Sequence, residues 1–171
     1  QLTHLALKFS ALTFCRPGEI RHAEWSEVDW DNRLWRIPAE KMKMRQPHLV
    51  PLAEQTLAVL RELKPMTGHT RYLFPSVRSA ERPMSEATVN AAIRRMGYQK
   101  DQMCAHGCRG MASSILNEKG FNRDWIERQL AHAPIDKVRA AYLHTDFLEG
   151  RYEMMAWWAG YLDELRDSAV P

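Results

Sequence analysis

Cysteine is scarce in this 171-residue chain: Cys15, Cys104 and Cys108 are all it has. An odd number with no paired spacing builds no disulfide framework, which suits a reducing cytosol. Long apolar runs are missing as well, so no segment approaches the length of a membrane span. Gln1-Leu2-Thr3-His4 has neither a basic n-region nor a cleavage site, so no secretory leader is expected. An initiator methionine is absent too, and the expectation is a cytoplasmic domain excised from a longer protein. No internal repeat and no low-complexity tract is visible. Strong charge of one sign is also lacking. The net charge is +3 and the sequence pI near 8.9, which permits a polyanionic partner without requiring one.

What remains is an ordinary globular composition, 45% hydrophobic and 26% charged, long enough to bury a core without staples. The basic residues are clustered. Lys41, Lys43, Arg45 and His48 follow one another with no acid after Glu40, and Arg94, Arg95 and Lys100 form a second group.

Leu5, Phe9 and Leu12 mark a helix over Leu2–Phe14. Pro17 suits the first turn of a short second helix. The period then changes. Val28 and Trp30 alternate with acids, Leu34 to Ile37 alternate again, and Asp31-Asn32 supplies the turn between them, so a β-hairpin is expected. Leu49-Val50-Pro51-Leu52 reads as a third strand, placed by Pro51 at an edge or strand end. Lys41–Arg45 then lies in the loop joining strands two and three. Leu57, Leu60 and Leu63 predict a helix closed by Pro65 and Gly68. Tyr72–Pro75 reads as a short extended piece. Ser85 is expected to cap a helix with Val89, Ala92, Ile93 and Met96 inward. Further helices are expected over His106–Lys119, stopped by Gly120, over Asn122–Ala131, over Lys137–Tyr142, and over Asp146–Leu165. The last carries Met154, Trp157, Trp158, Tyr161 and Leu162, which either close the domain's own core or pack on a neighbouring subunit.

Chemistry concentrates between Ala105 and Tyr142. His106 and Arg109 share a helix face at i and i+3, His132 follows, and Tyr142 comes ten residues later. Tyrosine is a competent covalent nucleophile, and arginine and histidine bind and protonate phosphate oxygens. Taken singly, each residue has a plain structural reading: a cap histidine, a surface arginine, a helix-end histidine, a packing tyrosine. Cys104, His106 and Cys108 suggest a metal cluster, but a structural zinc site takes four ligands and no fourth stands at a familiar spacing. No metal and no cofactor is therefore expected.

The ordered set resembles the catalytic domain of tyrosine recombinases, the phage integrase family. Ala11-Leu12-Thr13-Phe14-Cys15-Arg16-Pro17-Gly18-Glu19-Ile20 is similar to its first arginine box. Lys43, six residues before Leu49-Val50-Pro51-Leu52, matches its hairpin lysine, with Lys41 two residues away as the competitor. His106-Gly107-Cys108-Arg109 matches its HxxR box, Leu130-Ala131-His132 its LGH box, and Ala141-Tyr142-Leu143-His144 its nucleophile box. Within the family, Met111–Ser114, Ile126–Leu130, Val138–Tyr142 and Ala156–Leu162 resemble P4-like prophage integrases. The likeness covers essentially the whole chain, 1–171. Three departures stand out: Gly110 where a second arginine is common, Ala131 for the usual glycine, and Met42 and Met44 around Lys43.

The resemblance implies an α+β, mainly α fold: a helical catalytic domain with a small three-stranded antiparallel sheet near its N-terminal end. It implies a site-specific recombinase that needs neither metal nor ATP and cleaves and rejoins DNA through a 3′-phosphotyrosine. In that scheme Tyr142 is the nucleophile and Arg16 and Arg109 grip the phosphate. Lys43 protonates the leaving oxygen, His106 assists Tyr142, and His132 hydrogen-bonds the phosphate. Arg45, Arg94 and Arg95 are candidate contacts to the DNA backbone, or a solvated face. The implied partner is double-stranded DNA at attachment sites, bound by a homo-tetramer of the full-length protein and by a monomer of the isolated domain. No membrane is involved, and the place of action is the bacterial cytoplasm, on the nucleoid. A type IB topoisomerase-like relaxing enzyme and a non-catalytic DNA-binding module are the alternatives.

Overall fold

A computed structural model of the chain describes residues 1–132 and 146–169. Helix α1 (Leu2–Thr13) forms where the apolar stripe predicts it and buries Leu5, Ala6, Phe9 and Leu12. Phe9 sits at its centre and meets Trp35 and Phe74 edge-on, with ring centroids 5.4 and 5.6 Å away. Two buried hydroxyls on the same helix are satisfied internally: Ser10 donates to the Ala6 carbonyl and Thr13 to that of Phe9. The helix ends at Phe14, whose φ of 39° turns the chain left-handed and sends it into α2 (Pro17–Arg21). Pro17 opens α2 because its missing N–H is one that no helix start can satisfy.

The expected hairpin and third strand form one antiparallel sheet in the order β1 (Val28–Asp29), β2 (Leu34–Ile37), β3 (His48–Pro51). Asp29 makes the turn by accepting from the Asn32 N–H and side-chain amide. Strand β3 is an edge, and Pro51 is its last residue, opposite Leu34, where a missing N–H disturbs no ladder.

Met96, expected on the buried stripe of its helix, is exposed because the helix ends at Arg95, and two expectations about the elements themselves change. Pro65 does not close its helix: α3 runs Glu54–Thr67 and Gly68 caps it. The last turn is held by tertiary hydrogen bonds that the local pattern cannot reveal. The Trp25 indole donates to the Thr67 carbonyl at 2.9 Å, and the Thr67 hydroxyl to that of Leu73 at 2.9 Å. The extended piece near Tyr72 is the entry to a second hairpin, β4 (Pro75–Ser76) with β5 (Ser79–Pro83). Its turn has no glycine or asparagine; the Ser76 hydroxyl accepts from the Arg78 N–H instead, a weaker sequence signal.

Helix α4 (Ala87–Arg95) starts just after Ser85, whose hydroxyl accepts from the Ala87 N–H. Helix α5 (Gly107–Glu118) stops before Gly120, at φ +80°. Helix α6 (Arg123–Gln129) is capped by the Asn122 side chain, which accepts from the Asp124 N–H at 2.8 Å. The expected helix over 137–142 lies outside the described residues. Helix α7 (Leu148–Ser168) closes the fold.

Two apolar cores result. One lies under the sheet between α1, α3 and α4, and the other joins Phe14 to α5, α6 and α7. Helix α7 bridges them: Ala159 belongs to the first, Met154, Met155 and Trp158 to the second. The Trp158 indole donates to the Ala11 carbonyl, and Gly150 lets the helix approach so closely that a β-carbon there would overlap the Trp125 ring. The stripe of α7 thus closes its own chain's core, which favours the first of the two readings of that helix. Among the described residues, no helix is long and apolar enough to cross a membrane.

Candidate active site

The site is built around the turn after α6, Leu130-Ala131-His132. Ala131 has φ 49°, a left-handed conformation that costs a residue with a β-carbon about 1 kcal/mol. That explains why a glycine suits the position. The turn is held by two arginines from distant parts of the chain. Arg109 Nη2 donates to the Leu130 carbonyl at 2.7 Å, and Arg16 Nη2 to the Ala131 carbonyl at 2.9 Å. Arg109 Nη1 reaches the Phe14 carbonyl at 2.9 Å, exposed for this purpose by the left-handed end of α1.

Arg16 is oriented locally. Glu19, one turn on, accepts from the Arg16 backbone N–H and from its Nη1 at 2.9 and 2.8 Å. Arg109 is buried. Burial holds its pKa below the usual arginine value, and the positive charge of Arg16 lowers it further. Two guanidiniums therefore face the same turn, repel each other, and keep N–H donors that the carbonyls do not use. An anion between them relieves the repulsion and fills those donors.

His132 is exposed and held by Nδ1 to Glu127 Oε2 at 2.8 Å, while its N–H donates to the Glu127 carbonyl. With Nδ1–H assigned to the carboxylate, Nε2 is left as the ring's acceptor. His106 is exposed at the start of α5, and its carbonyl accepts from the Arg109 N–H. It therefore stands one turn from Arg109. Tyr142 lies outside the described residues. So Arg16, Arg109 and His132 share one turn, with His106 next to Arg109.

The two lysines of the β2–β3 loop separate sharply. Lys41 Nζ donates to the His22 carbonyl at 2.9 Å, to Glu24 at 2.6 Å and to Glu27, so it locks the loop base to the protein. Lys43 is exposed. Among the candidate backbone contacts, Arg45 and Arg95 are exposed. Arg94 turns to the loop that follows its helix, donating to the Tyr98 and Met103 carbonyls. Among the described residues, no three His, Cys, Asp or Glu side chains group as a metal site.

Sequence reasoning overlooked Arg151. It falls on the apolar stripe of α7, four residues before Met155 and seven before Trp158, and helical spacing alone would have flagged it as buried. It is fully buried, and burial brings its pKa down to about 10. His48, grouped above with the loop's basic residues, is buried too. Its Nε2–H donates to the Gln129 carbonyl. Burial first, then the charges of Arg151 and Arg128, hold its pKa at about 3 against 6.5.

A pH dependence follows. Below pH 6.5 the unfolded chain takes up a proton that folded His48 refuses, so stability is full above 6.5 and falls as pH drops towards 3. At about 1.4 kcal/mol per pH unit, a loss of about 1–2 kcal/mol is expected between pH 6.5 and 5. Denaturant unfolding at the two pH values measures it. A His48→Gln variant, which keeps an N–H donor but cannot titrate, should flatten the dependence. An equally steep fall in that variant would remove His48 as its source.

The fold is that of tyrosine recombinase catalytic domains. XerA recombinase superposes with a TM-score of 0.63 at 20% identity, over 99% of this chain and 57% of that one. The lambda integrase catalytic core superposes at 0.60 and 18% identity, over 80% and 82%, and a lambda integrase tetramer bound to a Holliday junction at 0.60 and 19%, over 80% and 42%. Residues 2–149 match the phage integrase family, and the chain belongs to it. The integrase of Enterobacteria phage P4 is 45% identical over 99% of this chain and 42% of its own length. Prophage integrase IntA of Escherichia coli (strain K12) is 43% identical over 92% and 38%. The chain thus spans about two fifths of the length of these relatives.

Proposed function

We propose that this chain is the catalytic domain of a prophage integrase, a site-specific recombinase that inserts or excises a mobile element. The observation that carries the reading is the pair of like-charged guanidiniums, from residues 16 and 109, on consecutive carbonyls of one turn. A phosphodiester is the anion that such a pair fits. The phenolic oxygen of Tyr142 attacks the phosphorus and loses its proton with help from His106. The bond to the 5′-oxygen breaks, and Lys43 protonates that oxygen as it leaves. Arg16, Arg109 and His132 hold the non-bridging oxygens as their charge grows. In the reverse step a 5′-hydroxyl from another strand attacks the phosphotyrosine. The energy of the broken bond is kept in the adduct, so no ATP is needed.

The partner in this reading is double-stranded DNA, in the bacterial cytoplasm and on the nucleoid, with four full-length copies at an attachment site. Lambda integrase, of the same fold, is a tetramer on a Holliday junction. The isolated domain should bind weakly and with a steep salt dependence, because phosphates dominate its contacts.

A pool of nicked duplexes with randomised cores tests the reaction. The nick lets the 5′-fragment diffuse away and traps the adduct. The expected result is a covalent protein–DNA band on a denaturing gel, with the DNA mapped to the peptide containing Tyr142. No adduct, or linkage to another residue, would sink the reading.

The lysines give a second check. Lys43→Ala should slow adduct formation by about 10²–10⁴-fold, the usual worth of a general acid, with an unchanged melting temperature. Lys41→Met should do the reverse, costing about 2–4 kcal/mol of stability by leaving the Glu27 carboxylate without its cation and Glu24 with Arg71 alone. If Lys43→Ala cleaves at the parent rate, the proton comes from elsewhere.

A further inference from the structure

Gln129 and Arg151 form a buried polar hub that no step of the chemistry uses. Gln129 is the last residue of α6 and fully buried. Its Nε2 donates to the Thr13 carbonyl at 3.2 Å, and its Oε1 accepts from Arg151 Nη2 at 2.7 Å. Its carbonyl accepts from His48 at 3.2 Å. Arg151 Nη2 also donates to the Leu49 carbonyl at 2.6 Å, and Nη1 to that of Asp146 at 3.1 Å. Among the described residues, this guanidinium thus donates to three carbonyl-type oxygens.

Each partner stands next to a part of the site. Thr13 precedes the Phe14 carbonyl that holds Arg109, and lies just before Arg16. His48 and Leu49 are on β3, at the foot of the loop that carries Lys43. Gln129 immediately precedes the Leu130–His132 turn. Asp146 is the first described residue after the segment that carries Tyr142, and its carboxylate also pairs with Arg128 at 2.8 Å. The hub therefore ties together the described ends of that segment, the arginine turn and the lysine loop.

The energetics point the same way. A guanidinium buried on neutral acceptors carries a desolvation penalty that its hydrogen bonds only partly offset. What the polar hub adds is direction: each bond fixes one strand of backbone at one distance.

Resting on the function proposed above, we infer that Gln129 and Arg151 are positioning residues, which set the distance between the arginine turn and the strand at the foot of the Lys43 loop and anchor Asp146, four residues after Tyr142 in the chain. A misplacement of about 1 Å at a reacting centre costs on the order of 10²-fold in rate.

The test uses the nicked duplex that the randomised pool yields, with the 171-residue chain. The single-turnover rate constant of adduct formation is measured separately from its amplitude, and Kd for the same duplex is read by anisotropy. Gln129→Leu should lower the rate constant about 10–100-fold with Kd nearly unchanged. Gln129→Glu, which keeps the acceptor for Arg151, should recover most of it. Arg151→Lys, which cannot span the three acceptors, should lose about tenfold and decides the matter if Gln129→Leu does not fold. A role in stability alone would lower the amplitude and melting temperature at the parent's rate constant, and that result overturns the inference. So does a rate loss matched by an equal loss of DNA affinity. A parent chain that forms no adduct removes the proposed function and this inference together. A parent that forms it, with variants as fast, removes only the inference.

Discussion

A Tyr142→Phe variant is expected to form no covalent adduct with the nicked duplex, a loss on the order of 10⁴-fold or more in rate. The substitution deletes one oxygen and leaves the ring. Arg16, Arg109 and His132 remain on their turn, so the phosphate still has its donors, and DNA affinity should stay within about threefold of the parent. No neighbouring group takes over easily, because attack must come in line with the departing 5′-oxygen from a fixed point. The two measurements together are decisive. Lost cleavage with retained binding assigns the nucleophile. Lost cleavage with lost binding means a disturbed fold, and a persisting adduct means another nucleophile.

Arg109→Lys is expected to fail twice. A lysine carries the charge but not the planar fork, so it cannot reach the Phe14 and Leu130 carbonyls at once as Arg109 does. Hydrogen bonds to charged groups contribute about 1.5–3 kcal/mol each, and loss of one or both should lower stability by about 2–4 kcal/mol. Cleavage should fall by about 10²–10³-fold, the cost of removing one donor from a developing charge. The separation of the two effects comes from temperature. Well below the melting transition the variant is folded, and the rate loss should persist there. If the rate recovers fully on cooling, Arg109 serves the fold alone. Arg16→Lys makes the comparison sharper, since Glu19 still pairs with an ammonium while the bond to the Ala131 carbonyl depends on reach.

Much of this architecture is legible in the chain because its signals are local. The stripe of Leu5, Phe9 and Leu12 makes α1, Asn32 lies in the hairpin turn as expected, though its partner is Asp29 rather than Asp31, and Gly120 stops α5. Each depends on contacts within a few residues. Where a distant partner decides, local reading fails. Pro65 does not end its helix because Trp25 and Leu73 hold the turn beyond it. The hairpin Pro75–Pro83 rests on a serine turn too weak to be read from sequence. Lys41 and Lys43 look alike along the chain, but in space Glu24 and Glu27 claim the first and the second is exposed.

The same division holds for the site. Residue types in order, from Arg16 through Arg109 and His132 to Tyr142, determine the family and the chemistry to look for, because each reaction step demands a particular functional group. Their assembly is another matter. Only the tertiary structure brings residues 16 and 109 onto neighbouring carbonyls and joins Arg151 to Gln129, just before that turn. Hydrogen bonds and charge repulsion act across a few ångströms of space, and sequence separation does not measure that distance.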